Sequence, residues 1–311
     1  MSSSKVGVHV PVMVDEVIDA LQAKKGGMFL DCTFGSGGHT KAILDASPDA
    51  WVVAMDRDGR AIARGESLVS EYGDRLELIH APFAELESEV SFRGFDGVLA
   101  DLGMSTDQLK QGRGFSFIDE GPLDMRMDES TGISAQEFIN TAPERDIYVA
   151  LAEGGVGQNA RSIARTIAQE RPFESARQLA DVIKASYLGK KGESKVHPAT
   201  VVFQALRMKV NDEIGQLEHF LQAVPKVSKK GSRFAVITFH SIEDKIVTNR
   251  MRSWESAGSY PASWRGARTE VRVAHVVHRK PIVPSDEEIR QNPASRSARL
   301  RVLEIEKDFS K

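Results

Sequence analysis

The N-terminal third of the chain alternates between two hydrophobic rhythms. Short, largely apolar stretches at 28–32, 51–55, 76–80 and 95–100 have strand length. Between them lie stretches with helical spacing, beginning with Val14, Val17, Ile18 and Leu21 and closed by Gly26-Gly27, then 39–46 and 59–72. Each strand pattern ends in a glycine or polar residue, the arrangement of a doubly wound parallel sheet that binds ligands at its carboxyl edge. The rhythm breaks after the fourth strand. Residues 110–135 are rich in Gly, Arg, Phe, Asp and Met, and helical patterns follow at 135–140, 144–151, 160–169, 176–186 and 199–223 with no strand between them. A fifth strand is expected at 231–239 and a helix after it. Residues 254–268 then read as a mobile Gly/Ser/Ala-rich loop, and 271–278 with 299–305 as a closing antiparallel pair. The pattern predicts an α/β sheet contributed by residues 1–109 and 201–311, with an all-helical domain inserted at 110–200.

Composition narrows the class. The chain has 311 residues, 41% hydrophobic and 27% charged, as expected of a soluble globular protein. No apolar run approaches the ~20 residues of a membrane helix, and Met1-Ser2-Ser3-Ser4-Lys5 lacks the apolar core of a signal peptide, so a cytoplasmic protein without membrane contact is expected. Cys32 is the single cysteine, which excludes an internal disulfide and a cysteine-cluster metal site; no metal site is assigned. The net charge of −3 is not that of a nucleic-acid binder, yet residues 245–301 hold 12 Lys and Arg against 5 Asp and Glu. A local basic face of this kind can follow phosphates or be an ordinary solvated surface.

The chemistry concentrates at Asp31-Cys32-Thr33-Phe34-Gly35-Ser36-Gly37-Gly38-His39, between the first strand and its helix. Glycines there permit close backbone approach to a ligand. A dinucleotide fingerprint requires a third glycine where this chain has Thr40. Asp31 at the strand tip suits a ligand with an ammonium and a positive centre, such as S-adenosyl-L-methionine (SAM), better than a pyrophosphate. Asp56, 25 residues further on, stands where a ribose hydroxyl pair would be held, with Asp58 as the cap of the following helix. Phe83, after the third strand, can lie against an adenine or pack in the core.

Taken together, these motifs resemble the RsmH (MraW) family of bacterial small-subunit rRNA methyltransferases. The resemblance spans His9 to about Val302. Its specific carriers are Gly121-Pro122-Leu123-Asp124-Met125-Arg126-Met127 and Phe239-His240-Ser241-Ile242-Glu243-Asp244-Lys245, supported by His9-Val10-Pro11-Val12-Met13, Met55-Asp56-Arg57-Asp58, Asp101-Leu102-Gly103 and His197-Pro198-Ala199-Thr200. It implies a Rossmann-like SAM-dependent methyltransferase sheet with an inserted helical domain for substrate recognition. It also implies N4-methylation of a cytosine in the decoding (P-site) region of 16S rRNA, in the small ribosomal subunit. SAM contacts carry over to Gly37, Gly38, His39, Asp56, Phe83, Asp101 and Gln108. The chain departs from the family at Ser105-Thr106-Asp107-Gln108, where a proline is usual, and in the glycine-rich stretch Gly154-Gly155-Val156-Gly157. A homodimer is left open.

Cytosine N4 is a weak nucleophile because its lone pair is delocalised into the ring, so an acceptor at N4–H is needed. Asp101 is the first candidate for a catalytic role. His240 is the second, in a group with Ser241 and Glu243; the competing reading of that group is a capping box formed by Ser241 and Asp244. Phe115 and Phe117 are candidates for a base-stacking platform or for loop anchors, and Arg113 and Arg126 for phosphate contacts. An NAD-dependent oxidoreductase and a non-enzymatic ribosome-assembly factor are the rival functions.

Overall fold

The computed structural model describes residues 11–104, 112–117, 121–187, 198–256 and 272–307. Gln108, His9-Val10, His197 and most of the Gly/Ser/Ala-rich stretch lie outside these. Two compact units result: residues 1–103 with 216–311, and residues 104–215.

The first unit is built on seven strands: β1 (Gly27–Asp31), β2 (Ala50–Asp56), β3 (Leu76–His80), β4 (Phe95–Asp101), β5 (Ser228–Thr238), β6 (Ala274–Val276) and β7 (Arg299–Ile305). Their spatial order is β3-β2-β1-β4-β5-β7-β6. The first five are parallel; β7 runs antiparallel to β5 and β6 antiparallel to β7. The central strands β1 and β4 and the C-terminal half of β5 are buried on both faces, which is why they read as largely apolar runs. Alternate residues serve opposite layers. Leu30, Val98, Phe234 and Val236 face one buried cluster, while Phe29, Leu99, Ala235 and Ile237 face the other. Helices α1 (Val14–Leu21), α2 (Gly38–Ala46) and α3 (Gly59–Tyr72) contribute to the second cluster. A short α4 (Leu86–Glu89) follows β3.

The second unit holds α5 (Ala135–Thr141), α6 (Glu144–Glu153), α7 (Ala160–Gln169), α8 (Ala176–Tyr187) and α9 (Pro198–Val210). The sequence pattern ends the insert at 200. The compact unit instead continues to Gly215, because Val202, Phe203, Ala205 and Leu206 of α9 point into the helical core. The expected single helix over 199–223 is two helices, α9 and α10 (Glu213–Val227). The break falls at Asn211-Asp212. Asp212 adopts φ 48°. The Asn211 amide donates to the carbonyl of Met125 (2.8 Å), and its oxygen accepts the Met127 N–H (2.8 Å). α10 from Gln216 onward belongs to the sheet unit, where Phe220, Leu221 and Val224 join the cluster with α11 (Ser241–Glu255). Trp254, read from the sequence as loop, is in the last turn of α11 and buried in that cluster. α12 (Asp286–Gln291) is the last helix described. Among the described residues no helix is long and apolar enough to cross a membrane.

The Phe- and Met-bearing segment of the second unit is stitched to its helices. The Arg113 carbonyl accepts the N–H groups of Asp124 and Met125, and those of Ala135 and Gln136 go to Asp124 and Leu123. Phe115 is only 9% exposed, within the helical core, and Phe117 packs edge-on against Phe203. The core accounts for Phe115, while Phe117 is partly buried at its margin. Arg113 is buried, with its guanidinium on the Arg126 carbonyl (3.1 Å), over the Phe115 ring and 3.6 Å from Glu129. Arg126 forms a two-pronged pair with Asp124 (2.9 and 2.8 Å). Both guanidinium groups therefore serve the loop itself rather than phosphate. The unusual Gly154 also has a reason: a Cβ there would lie 2.2 Å from that of Ala205 on α9, so the helices meet at a point with room only for hydrogen.

Candidate functional site at the carboxyl edge of the sheet

The tips of β1, β2 and β4 are tied together by side chains at the point where the strand order reverses between β1 and β4. Asp31 ends β1 and is completely buried. One of its oxygens accepts the Thr33 N–H (3.1 Å) and the other the Thr40 hydroxyl (2.7 Å). Burial raises its pKa despite the nearby His39 and Thr40. Asp31 therefore holds the glycine turn in shape and is not presented to a ligand's ammonium group, which corrects the expectation from its position. Thr40, the residue that spoils the dinucleotide fingerprint, is the partner that makes this possible.

Within the turn, Gly35 and Gly37 have φ of 55° and 79°. A side chain on Gly37 would also strike the Phe34 ring at 2.9 Å. The Gly35 N–H donates to Asp56 Oδ2 (2.7 Å), and Asp56 Oδ1 accepts from Asp58 N (2.8 Å). Asp58 in turn caps α3 through the Arg60 N–H (3.0 Å). Asp56 thus retains a free acceptor lobe on each oxygen while being fixed in direction by two backbone donors. Burial pushes its carboxyl pKa up to about 6, against those two hydrogen bonds. A carboxylate already sits on the turn's Gly35 N–H, so that donor is not offered to a phosphate.

Asp101, at the tip of β4, receives support from the turn as well. Its N–H donates to Thr33 Oγ1 (2.7 Å), and its Oδ1 accepts the Gly103 N–H (3.0 Å). Its Oδ2 lies 3.4 Å from His39 Nε2 at the start of α2. Gly38, the first residue of α2, lies against Pro11, which a Cβ would meet at 2.8 Å. His39 is 6% exposed, and neither ring nitrogen has a well-formed hydrogen bond among the described residues. Burial opposes its protonation, but Asp101, Asp31 and Glu288 outweigh that and raise its pKa. Thr33 lies within the glycine-turn motif with no role readable from its type, yet it joins the first and fourth strand tips; the parallel β1–β4 pairing reveals it.

Phe83 follows β3, partly buried, with its ring edge-on to Phe220 (5.1 Å between centroids). At the tip of β5, His240 is itself the N-cap of α11, and its capping-box partner is Glu243, one position earlier in each case than the Ser241–Asp244 box expected. His240 Nδ1 faces the Glu243 N–H (3.4 Å), and Nε2 lies 2.9 Å from Glu243 Oε1. Asp244 turns away to Arg301 (2.7 and 3.0 Å) and Arg299 (3.3 Å). These cations hold its carboxyl below the ordinary range although burial acts in the other direction. Gly37, Gly38, His39, Asp56, Phe83, Asp101 and His240 are thus all at one edge of one sheet; Gln108 is outside the described residues.

The sequence profile of the MraW methylase family matches residues 7–306. The ribosomal RNA small subunit methyltransferase H of Geobacter sp. (strain M21) is 42% identical over 305 residues, covering 95% of this chain and 98% of that protein. The protein of the same name from Sinorhizobium fredii (strain NBRC 101917 / NGR234) is 44% identical over 299 residues, covering 94% and 86%. That of Rickettsia akari (strain Hartford) is 40% identical over 302 residues, covering 94% and 97%.

Proposed function

This chain belongs to the MraW methylase family, and we propose that it is a SAM-dependent methyltransferase acting on 16S rRNA in the small ribosomal subunit, at the N4 amine of a cytosine in the decoding region. The observation that carries the cofactor reading is the Asp56 carboxylate on the Gly35 N–H. It gives this turn a fixed acceptor for the hydroxyl groups of an adenosine ribose. Thr40 in place of the third glycine of a dinucleotide fingerprint, with the family match, selects SAM among the adenosine cofactors. The residues fit the cofactor in a second respect: His39 offers buried ring nitrogens without well-formed partners, the kind of group a bound ligand satisfies.

When bound, SAM supplies an electrophilic methyl group. The protein's share is placement and charge. Asp56 accepts the ribose hydroxyls, Phe83 offers a partly exposed ring to the adenine, and Gly37 and Gly38 keep the floor of the turn clear of side chains. Asp101 is the acceptor for the amine's N–H. A carboxylate there draws the proton, returns the nitrogen lone pair from the ring, and can hold the proton once the methyl has moved. The Gly103 N–H fixes the direction of that carboxylate, Thr33 ties the backbone of Asp101 to the turn, and His39 Nε2 lies 3.4 Å from its second oxygen. Alignment of this kind supplies a large part of the barrier reduction in such reactions. His240 is read as a positioning residue, since its ring closes the cap of α11. The helical unit is assigned to substrate recognition, and the substrate places the enzyme in the cytoplasm.

Transfer of tritiated methyl from SAM to small subunits lacking the modification tests the proposal. The expected product is one N4-methylcytidine in the decoding region, located by nuclease digestion and mass spectrometry. Methyl on another atom or another region overturns it. A thermal-shift comparison of SAM with NAD tests the cofactor; stabilisation by NAD alone would favour the oxidoreductase.

A further inference from the structure

The same sheet edge continues sideways past the site and changes character. β7 pairs with β5 so that Arg299 lies opposite Thr238, at the end of β5 where His240 follows. β6 runs back toward that edge, and the bridge of Ile282 to Leu300 keeps the intervening turn there. That turn carries exposed Arg279 and Lys280. The 3-10 turn Pro293–Ser297, which leads directly into β7, carries exposed Arg296. None of these three has an ion pair among the described residues. The nearby acids are largely engaged. Asp244 lies between two guanidinium groups, Glu287 meets Arg290 and Glu288 accepts the Met13 N–H; Asp286 remains exposed.

We infer that Arg279, Lys280 and Arg296, with half-exposed Arg299, form a strip that grips the phosphates of the RNA flanking the target nucleotide. Arg279, Lys280 and Arg296 are solvated cations without ion pairs among the described residues, and Arg299 shares Asp244 with Arg301; such a group on a strand end and tight turns is the electrostatic footprint of a nucleic-acid backbone. From β4 to β6 is three strand spacings, about 14 Å, so the strip lies beside Asp101 rather than on it and adds hold without base choice. The inference rests on the proposed rRNA substrate.

The test is binding of unmodified 16S rRNA, and separately of small subunits, to wild-type protein and to the triple variant Arg279→Gln, Lys280→Gln, Arg296→Gln across a salt series. A control variant, Lys229→Gln with Lys230→Gln, removes charge at the opposite end of β5. The triple variant should bind both RNAs more weakly, with the slope of log affinity against log salt shallower by about 2, and should keep wild-type SAM affinity. The control should match wild type. Unchanged affinity and slope, an equal loss in the control, or no RNA binding by wild type would each overturn the strip. So would loss confined to assembled subunits, which would point to a ribosomal protein. Binding is measured without turnover, so a protein that binds RNA through the strip yet transfers no methyl would fail the proposed function and leave the strip standing.

Discussion

The backbone N–H of Asp101 donates to the side-chain oxygen of Thr33 at 2.7 Å, joining the tip of β4 to the turn after β1. This bond ties the backbone of the residue proposed to meet the substrate amine to the turn proposed to hold the cofactor. Thr33→Val keeps the shape and removes the acceptor. The net value of such a bond is ~0.5–1.5 kcal/mol. If it is all felt in the transition state, kcat falls about two- to tenfold. SAM affinity, measured by calorimetry, should change less than kcat. An equal loss of both would show that Thr33 serves the turn alone.

Asp56→Ala should weaken SAM binding by ~1.5–3 kcal/mol, the range for hydrogen bonds to a charged group. Unchanged affinity would remove the ribose assignment.

Asp56 also sets a pH dependence with two opposite signs. Its folded pKa is raised from 3.8 to about 6. The stability it contributes to the free protein is therefore fully present below 3.8 and is lost as pH rises through about 6. SAM binding needs the ionised form and should weaken as pH falls through the same range. Comparing wild type with Asp56→Asn by thermal melts and by calorimetry isolates both effects, and the variant should flatten each curve.

Phe115→Ala should act on stability first. A Phe buried in a helical core costs ~3–5 kcal/mol when truncated, so chemical denaturation should show a large loss in the second unit. A variant of normal stability with selectively impaired RNA methylation would restore the stacking role.

Gly154→Ala places a methyl group 2.2 Å from the Ala205 Cβ. Overpacking of this sort costs ~1–3 kcal/mol, and the melting temperature should fall. A neutral substitution would mean that α9 shifts to make room.

Much of the fold is readable along the chain because the signals are local. Strand runs, the glycine turn, the Asp58 cap and the acid at the tip of β2 each depend on a few adjacent residues, and so does the all-helical character of the insert. The motif residues at the strand ends follow from the same local order, since a parallel sheet brings every strand's carboxyl end to one edge. What distance in sequence hides is which partner each polar group takes. Asp31 looks like a ligand acid until Thr33 and Thr40 are found on it, and Arg113 and Arg126 look like phosphate contacts until Glu129 and Asp124 are found beside them. Ser241 is the cap by residue type, but the helix begins at Ser241 and leaves the N-cap to His240 in extended backbone, with Glu243 as its partner; Arg299 and Arg301, brought alongside by the β5–β7 pairing, engage Asp244. The break at Asn211 and the extent of the helical unit have the same origin: a side chain reaching Met125 and Met127, and a helix face complementary to a core assembled from distant segments. Periodicity and turn chemistry belong to the sequence because they are set by neighbours. Hydrogen-bond partners and helix boundaries were decided by the tertiary structure, because a buried polar group must pair with whatever the packing brings within reach.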